Sequence, residues 1–285
     1  MFTIKKAAEI TGVPAHTLRA WERRHGLFAP ERAPSGYRVY DDETIARIRA
    51  MSTLVQDGWT PRDASAEVLR RRGAAVSAGR DVVPDPQDDL IEAAAALDAD
   101  RVSRILDEQF SRGDFETVLR GWLMPALTAV GRAWESGRIT VADEHLVANA
   151  VLRRLSAAYE AAGRGVGRPL VVGAPPGERH ELGLLAFAVA ARRAGLATLY
   201  LGGDVPLEAW SEAVGTASAR AVVTSAPRRR DAAVVGRLAE RLAVVRPGLQ
   251  VWVGGRYQHL VPAPCRSLGH DIGRAAALLA AEASA

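Results

Sequence analysis

A histidine motif in the C-terminal part of the sequence has residue types suited to metal binding. It is Glu178-Arg179-His180-Glu181-Leu182-Gly183, in which the imidazole projects from an exposed turn and Glu178 could fix its tautomer. Imidazole is a good ligand for a borderline metal such as cobalt. On its own the motif is weak, because most histidines in loops are ordinary surface residues.

Two further features lie where later strands are expected to end. Ser225 supplies a hydroxyl. Gly254-Gly255 removes side chains where a bulky planar ligand would have to approach the backbone closely, and Gly183 does the same in the first motif. Three such features in order, at three strand ends, favour a ligand site over a surface histidine.

A third set of side chains, Trp134, Glu144 and His145, flanks Gly137. There one predicted helix ends and another begins with Thr140 as its cap, so the short turn is expected to bring the three to one end of a helical bundle. The Glu-His pair could hydrogen-bond a polar ligand, and the indole could form a flat apolar lid over it. From these residues alone, a core tryptophan beside a solvated Glu-His pair remains the alternative.

The N-terminal quarter has side chains suited to nucleic acid. A helix is predicted from Pro14 to His25, with Leu18 and Trp21 on its inner face. Its outer face carries hydrogen-bond donors and cations, namely His16, Thr17, Arg19, Arg23 and Arg24. A Pro/Ser/Gly turn then leads into an alternating strand, which predicts a β-wing with Arg38 exposed. For the helix alone, a solvated basic face is the alternative.

Alternating short β runs and amphipathic helices after Arg168 predict the element that must carry the histidine motif. The runs are Leu170–Gly173, Thr198–Leu201, Ala221–Ser225 and Gln250–Val253. They indicate a doubly wound, Rossmann-like (flavodoxin-like) parallel sheet, in which ligands bind outside the carboxyl ends of the strands. The histidine motif, Ser225 and the glycine pair all fall in loops at those ends.

Composition shifts divide the chain into four segments. Residues 1–72 are expected to form a winged-helix domain, and residues 73–87, rich in small residues, prolines and acids, an extended linker. Residues 88–165 have helical spacing broken near Asp98, Gly113 and Gly137, which fits a four-helix bundle. Residues 166–285 add the Rossmann-like domain, so the expected architecture is multidomain, α+β and α/β.

Charge and cysteine content narrow the classes of protein. Residues 1–72 hold 13 Lys+Arg against 9 Asp+Glu and residues 73–285 hold 24 against 24, so the formal net charge of +4 lies in the N-terminal quarter. A local cationic excess favours a polyanionic partner. The single cysteine, Cys265, excludes an intrachain disulfide framework. No membrane segment or secretory signal is visible, so we expect a cytoplasmic protein with no membrane partner.

The N-terminal segment closely resembles the winged helix-turn-helix of MerR-family regulators over about residues 2–71, in the stretch TIKKAAEITGVPAHTLRAWERRHGLFAPERAPSGYRVYDDE. In that family the second helix reads the major groove and the wing grips flanking DNA. The resemblance therefore implies DNA contacts from Thr17, Arg19, Arg23, Tyr37 and Arg38.

The C-terminal segment resembles the cobalamin-binding fold of corrinoid-dependent methionine synthases and mutases, whose pattern is D/E-x-H-x-x-G, then S-x-L, then G-G. The resemblance implies base-off binding, with His180 as the lower axial cobalt ligand. The displaced dimethylbenzimidazole tail would then enter a channel lined by Ser225, Gly254 and Gly255. Pro227 departs from the pattern, which has leucine at that position.

Over essentially all of its domains the chain resembles MerR-type cobalamin photoreceptor repressors of the CarH/LitR type. Their W-x9-E-H motif occurs here as Trp134 and Glu144-His145. The resemblance implies that Trp134 caps the 5′-deoxyadenosyl group, while Glu144 and His145 secure it and the neighbouring subunit. Some relatives have a histidine directly after the tryptophan; this chain has Glu135, which excludes a bis-histidine photoproduct using that position.

The function that this resemblance implies is light-responsive repression of transcription. Adenosylcobalamin bound in the dark would order a homotetramer on operator DNA, and light would cleave the Co–C bond and release the DNA. Because the cofactor acts as a switch, no enzymatic activity is expected.

Three alternatives remain open from the sequence. The chain could be a cobalamin-dependent regulator that does not respond to light, or, given Pro227 and Glu135, a regulator that has lost cobalamin and senses something else. It could also be a corrinoid methyl carrier, although the fused DNA-binding segment argues against that class.

Overall fold

The computed structural model describes residues 2–26, 28, 31–32, 38–56, 60–65, 68–69 and 87–284. The chain divides into two units, one formed by Met1–Arg101 with Ala126–Leu146 and the other by Val102–Pro125 with Val147–Ala285. The predicted helical segment 88–165 contributes to both units. Apart from Gln87, the predicted linker 73–87 lies outside the described residues, so its bounds stay a prediction.

The N-terminal elements begin with a short strand and two helices, β1 (Phe2–Thr3), α1 (Ile4–Thr11) and α2 (Ala15–His25). The Lys6 amide donates to the Thr3 hydroxyl, so Thr3 caps the start of α1. Gly12 ends α1 with a φ of 68°, a left-handed conformation that favours glycine. Helix, turn and helix therefore follow one another as the sequence predicts.

Two short strands and a longer helix follow: β2 (Glu31–Arg32), β3 (Arg38–Tyr40) and α3 (Asp42–Gln56). The strands pair antiparallel in the order β1-β3-β2. The Thr44 amide donates to the Asp41 carboxylate, so Asp41 caps the start of α3. Residues 61–65 and 68–69 are also helical. These elements pack around one hydrophobic core, whose fully buried side chains include Leu18, Tyr40, Ile48 and Met51.

Four helical stretches follow residue 87, broken near Asp98, Gly113 and Gly137 as predicted. They are α4 (Asp88–Ala95), α5 (Ala99–Phe110), a composite of α6 (Phe115–Val118), a π-helical turn (Leu119–Leu123) and α7 (Met124–Glu135), and α8 (Val141–Ala161). Across the stretches that the structure describes, every helix is too short or too polar to cross a lipid bilayer.

A five-stranded parallel sheet with intervening helices forms the C-terminal part. Its elements are β4 (Val166–Gly173), α9 (Leu182–Arg193), β5 (Leu196–Gly202), α10 (Leu207–Thr216), β6 (Ala221–Ser225), α11 (Asp231–Val245), β7 (Gln250–Gly254), β8 (Arg266–Ser267) and α12 (Ile272–Ser284). The strand order β5-β4-β6-β7-β8 is flavodoxin-like and confirms the predicted doubly wound sheet.

The strand order creates a switch point at β4. This strand pairs with β5 on one side and with β6 on the other, so the connections on its two sides run in opposite directions along the sheet. Val171 pairs with Val222 and Val172 with Val223, which brings the carboxyl ends of β4 and β6 side by side. In this fold such a point is where a ligand crevice forms. The loop after β4 carries His180, and the loop after β6 begins directly after Ser225.

Candidate functional site

The loop after β4 carries His180, whose ring contacts the buried carboxylate of Glu178. Glu178 is fully buried, and its Oε1 accepts a hydrogen bond from the His180 amide at 2.6 Å and lies 2.5 Å from His180 Nδ1. The short contact with a carboxylate assigns the imidazole proton to Nδ1. The His180 side chain is 62% exposed, so Nε2 is the ring nitrogen presented to a ligand. The pairing of Glu178 with His180 that the sequence predicts is therefore present.

Arg228 and Asp231, which sequence reasoning missed, complete the surroundings of this pair. Arg228 Nη2 lies 3.1 Å from His180 Nδ1, and its Nε lies 3.7 Å from Glu178 Oε2. The Arg228 amide donates to Asp231 Oδ2 at 2.7 Å at the start of α11. A basic residue just after β6 could have been suspected once β4 and β6 were known to be neighbours.

The two buried carboxyl groups have oppositely shifted pKa values. Burial acts to raise the pKa of Glu178, but hydrogen bonds from the His180 ring and amide, together with electrostatic attraction to His180 and Arg228, outweigh it and hold the pKa at about 2. Burial raises the pKa of Asp231 to about 6, and the negative charge of Glu178 adds to the rise. Glu178 is thus anionic at neutral pH and suited to polarise the imidazole of His180.

The predicted channel residues lie at the carboxyl ends of β6 and β7, where Ser225 pairs with Gly254 and Gly255 follows. Ser225 is buried, and within the described residues its hydroxyl has no hydrogen-bond partner. Such a buried hydroxyl fits a site where a polar ligand supplies the partner. Gly183 lies in the first turn of α9, and a Cβ there would meet Met124 Cε at 3.9 Å, an ordinary contact.

Gly255 has a reason within the fold for lacking a side chain. Its φ is +90°, and a Cβ there would lie 2.9 Å from the carbonyl carbon of Ala226. The loops after β6 and β7 therefore touch through their backbones at this point. A Cβ on Gly254 would meet Leu268 at 3.9 Å, an ordinary contact. Contact of either glycine with a ligand stays a prediction.

The turn between α7 and α8 orders the second predicted set. The Gly137 amide donates to the Trp134 carbonyl and the Arg138 amide to the Ala133 carbonyl, a Schellman ending that requires the positive φ of 77° at Gly137. Trp134 is 39% exposed, so the core alternative for this indole is wrong.

Helix α8 then begins with a reciprocal cap. The Asp143 amide donates to the Thr140 hydroxyl, and the Thr140 amide donates to the Asp143 carboxylate, which confirms Thr140 as the cap. One turn into the helix, His145 Nδ1 lies 2.7 Å from Glu144 Oε2. The structure thus pairs Glu144 with the exposed His145.

Helix α2 presents the basic face that the sequence predicts. Leu18 and Trp21 are buried. On the opposite side the basic residues are exposed, namely His16, Arg19, Arg23 and Arg24, and Thr17 is half-buried. Arg38 is half-buried where the sequence predicts an exposed residue, because its Nε lies 3.0 Å from Glu22 Oε2. Tyr37 lies outside the described residues.

Comparisons with known proteins agree with this arrangement. Residues 2–70 match the family described as MerR HTH family regulatory protein, and residues 86–159 match the B12 binding domain. The HTH-type transcriptional repressor CarH of Myxococcus xanthus is 35% identical over 277 residues, covering 94% of this chain and 93% of that protein. The HTH-type transcriptional repressor CarA of the same organism is 32% identical over 209 residues, covering 72% and 69%.

A solved structure shares the fold over about two thirds of the chain. The monomethylamine corrinoid protein of Methanosarcina barkeri superposes with a TM-score of 0.55 at 16% identity, covering 69% of this chain and 96% of that protein. At this identity the likeness concerns the fold alone.

Proposed function

The chain belongs to the MerR-type, cobalamin-binding transcriptional repressors that include CarH, and we propose that it is a repressor which holds adenosylcobalamin in the dark and is released from DNA by light. It is a DNA-binding regulator, not an enzyme, because the relatives that it matches over most of their length are transcriptional repressors. The adenosyl form, the response to light and the assembly are the parts proposed here.

The lower ligand in this proposal is His180. The observation that carries it is the buried Glu178 carboxylate 2.5 Å from Nδ1, since this contact fixes the ring and leaves Nε2 for cobalt. The hydroxyl of Ser225 would hydrogen-bond the displaced tail, and Gly254 and Gly255 would line the same channel. When bound, the cofactor supplies a cobalt–carbon bond that light can break.

The upper contacts in this proposal come from the turn between α7 and α8. Trp134 would cover the adenosyl group with its exposed indole, and Glu144 and His145 would hydrogen-bond it and a neighbouring subunit. These side chains would lose those contacts when the group leaves. Because Glu135 follows Trp134, the chain offers no histidine at that position to bind cobalt afterwards.

Release from DNA follows from multivalency in this proposal. A homotetramer would present several copies of helix α2, with Thr17, Arg19 and Arg23 directed to base edges and phosphates and Tyr37 and Arg38 to flanking DNA, on one operator. Each single contact is weak, so loss of the assembly removes most of the affinity. The chain's switch is therefore its state of association.

The test uses the purified full chain with adenosylcobalamin, sized and assayed on its promoter DNA before and after green light. We expect a larger assembly and tighter DNA binding in the dark, both lost after illumination. His180→Ala should change the visible spectrum of the holoprotein and weaken cofactor retention, whereas the control His259→Ala, at an exposed site after β7, should change neither. Equal size and DNA affinity before and after light would refute the light switch.

Glu135 favours a second candidate, a cobalamin-dependent repressor that does not use light. Without a histidine after Trp134, the chain lacks one means of trapping cobalt once an upper ligand has left. Under this candidate, methylcobalamin and adenosylcobalamin should tighten DNA binding equally, and illumination should have no effect. Under the first candidate, only adenosylcobalamin should support the dark assembly.

A further inference from the structure

Asp204 joins the loop after β5 to the loop that carries His180. Its Oδ1 accepts a hydrogen bond from the Gly177 amide at 2.7 Å, and its own amide donates to the Glu178 carbonyl at 2.7 Å. The two bonds bracket the peptide that precedes Glu178. One residue of a neighbouring loop therefore fixes the backbone from which Glu178 and His180 project.

The conformation of Asp204 makes both bonds possible. Its φ is +52°, in the left-handed region that L-residues other than asparagine and aspartate rarely adopt. Beside it, a Cβ on Gly203 would lie 3.4 Å from Arg179 Cα, which shows how closely the two loops approach. The backbone of Asp204 can thus face the Glu178 carbonyl while its carboxylate reaches the Gly177 amide.

A surface ion pair does not account for this residue. Arg179 Nε lies 3.9 Å from Asp204 Oδ2, and the Arg179 side chain is 87% exposed. Exposed pairs at this distance are screened and contribute little. The hydrogen bonds of Asp204 to the Gly177 amide and the Glu178 carbonyl are shorter, at 2.7 Å each, and act directly on the loop.

We propose that Asp204 is a positioning residue for the cobalt ligand, because it holds the Gly177–Glu178 peptide in the place from which Glu178 grips His180. The consequence for the cofactor rests on the proposed role of His180. The two hydrogen bonds that Asp204 makes with Gly177 and Glu178, which we call the clasp, are present in the chain without any cofactor. Loosening it should free the Glu178 carboxylate from its buried position and let the imidazole turn away from cobalt.

Three substitutions separate the parts of the clasp. Asp204→Asn keeps both an acceptor and the tolerance for positive φ, so it should behave as the wild type. Asp204→Gly keeps the φ but loses the acceptor, and Asp204→Ala loses both. Arg179→Ala removes the ion pair alone and serves as the matched control, for which no change is expected.

The first measurement is amide hydrogen exchange of Gly177 in protein without cobalamin. Loss of its hydrogen bond in Asp204→Gly and Asp204→Ala should speed exchange of this amide by about tenfold or more, while amides of β6 remain protected. The second is the nitrogen splitting in the electron paramagnetic resonance spectrum of the cob(II)alamin form, which reports imidazole bound to cobalt. The fraction of cobalt bound by histidine should be highest in Asp204→Asn, lower in Asp204→Gly and lowest in Asp204→Ala.

Each outcome bears on the proposal. The proposal would be overturned if the Gly177 amide exchanged at the wild-type rate in Asp204→Ala, or if Arg179→Ala accelerated its exchange as much as Asp204→Ala does. If Asp204→Ala does not fold, the comparison of Asp204→Asn with Asp204→Gly decides the same question. A wild-type spectrum that is unaffected by His180→Ala would instead refute the proposed role of His180, and the exchange result would still decide whether the clasp exists.

Discussion

Substitution of Asp231 by asparagine should stabilise the protein at neutral and alkaline pH. Asp231 is buried at the start of α11, where burial and the neighbouring charge of Glu178 raise its pKa to about 6 from a usual value of 3.8. Arg228 Nε lies 3.7 Å from Glu178 Oε2, beyond hydrogen-bond distance, so it offsets the charge of Glu178 only in part. At neutral pH the fold therefore keeps two buried carboxylates charged near one another.

The magnitude follows from the shift in pKa. A rise from 3.8 to about 6 is about 2 units, and at 1.36 kcal/mol per unit it costs about 3 kcal/mol of folding free energy. A raised carboxyl pKa costs nothing below pH 3.8, where Asp231 is protonated in both states. The cost grows between pH 3.8 and 6 and is complete above pH 6. Glu178 acts in the opposite sense, since its lowered pKa stabilises the fold above pH 4.5 and the gain is lost as the pH falls towards 2.

Asparagine removes the cost and keeps the local geometry. Its oxygen can still accept the Arg228 amide, and its NH₂ group cannot ionise. We expect the free energy of unfolding of Asp231→Asn to exceed that of the wild type by up to about 3 kcal/mol at pH 8 and by only about 0.5 kcal/mol at pH 4.

Hydrogen exchange of the buried amides of β4 and β6 in denaturant measures the stability of the unit that contains Asp231. Asp271→Asn is the matched control, because Asp271 also lies at the start of a helix but hydrogen bonds from the Arg274 and Gly273 amides and from Arg120 lower its pKa. That variant should lose stability above pH 4. A gain for Asp231→Asn that is equal at pH 4 and pH 8, or a loss at pH 8, would refute the reasoning.

Three other substitutions test separate parts of the fold. Leu18→Ala empties a fully buried position beneath the basic face of α2, so it should lower domain stability by about 3 kcal/mol and abolish DNA binding in a mobility-shift assay, with the cobalamin spectrum unchanged. Thr140→Ala removes half of the reciprocal cap of α8; about 1 kcal/mol less protection of the Asp143 amide is expected from hydrogen exchange, and an unchanged amide would contradict the cap. Tyr200→Phe removes the hydroxyl that donates to Glu181 Oε2 at 2.7 Å, so thermal unfolding should show a loss of about 1 kcal/mol, and an unaltered melting temperature would contradict this.

Local patterns were enough to predict most elements of the fold. The apolar runs at Leu170 and Ala221 predict buried strands because both faces of a doubly wound sheet are covered. β4 begins earlier than predicted, at Val166, where the chain is exposed and gives no apolar signal. β8 was missed because its two residues, Arg266 and Ser267, are polar and exposed, and only pairing with β7 makes them a strand.

The candidate site divides in the same way between local and distant contacts. Glu178 and His180 are two residues apart, so one turn suffices to join them and the sequence reveals the pair. Arg228 lies 48 residues from His180, and only the pairing of β6 with β4 brings it within 3.1 Å. Arg38 was expected to be exposed because strand alternation says nothing about Glu22 on α2, 16 residues earlier.

Glu178 is the residue through which the parts of this site act on one another. Its side chain holds His180, its carbonyl accepts the Asp204 amide, its charge raises the pKa of Asp231 and Arg228 partly offsets that charge. Replacing Glu178 would therefore change loop position, ligand orientation and buried charge together, and its effect could not be assigned to one of them. Substitution of Asp204 alters the position of the loop but leaves the buried charge of Glu178 in place. Substitution of Asp231 alters the buried charge but leaves the loop in place. The two neighbours thus separate what a substitution of Glu178 would combine.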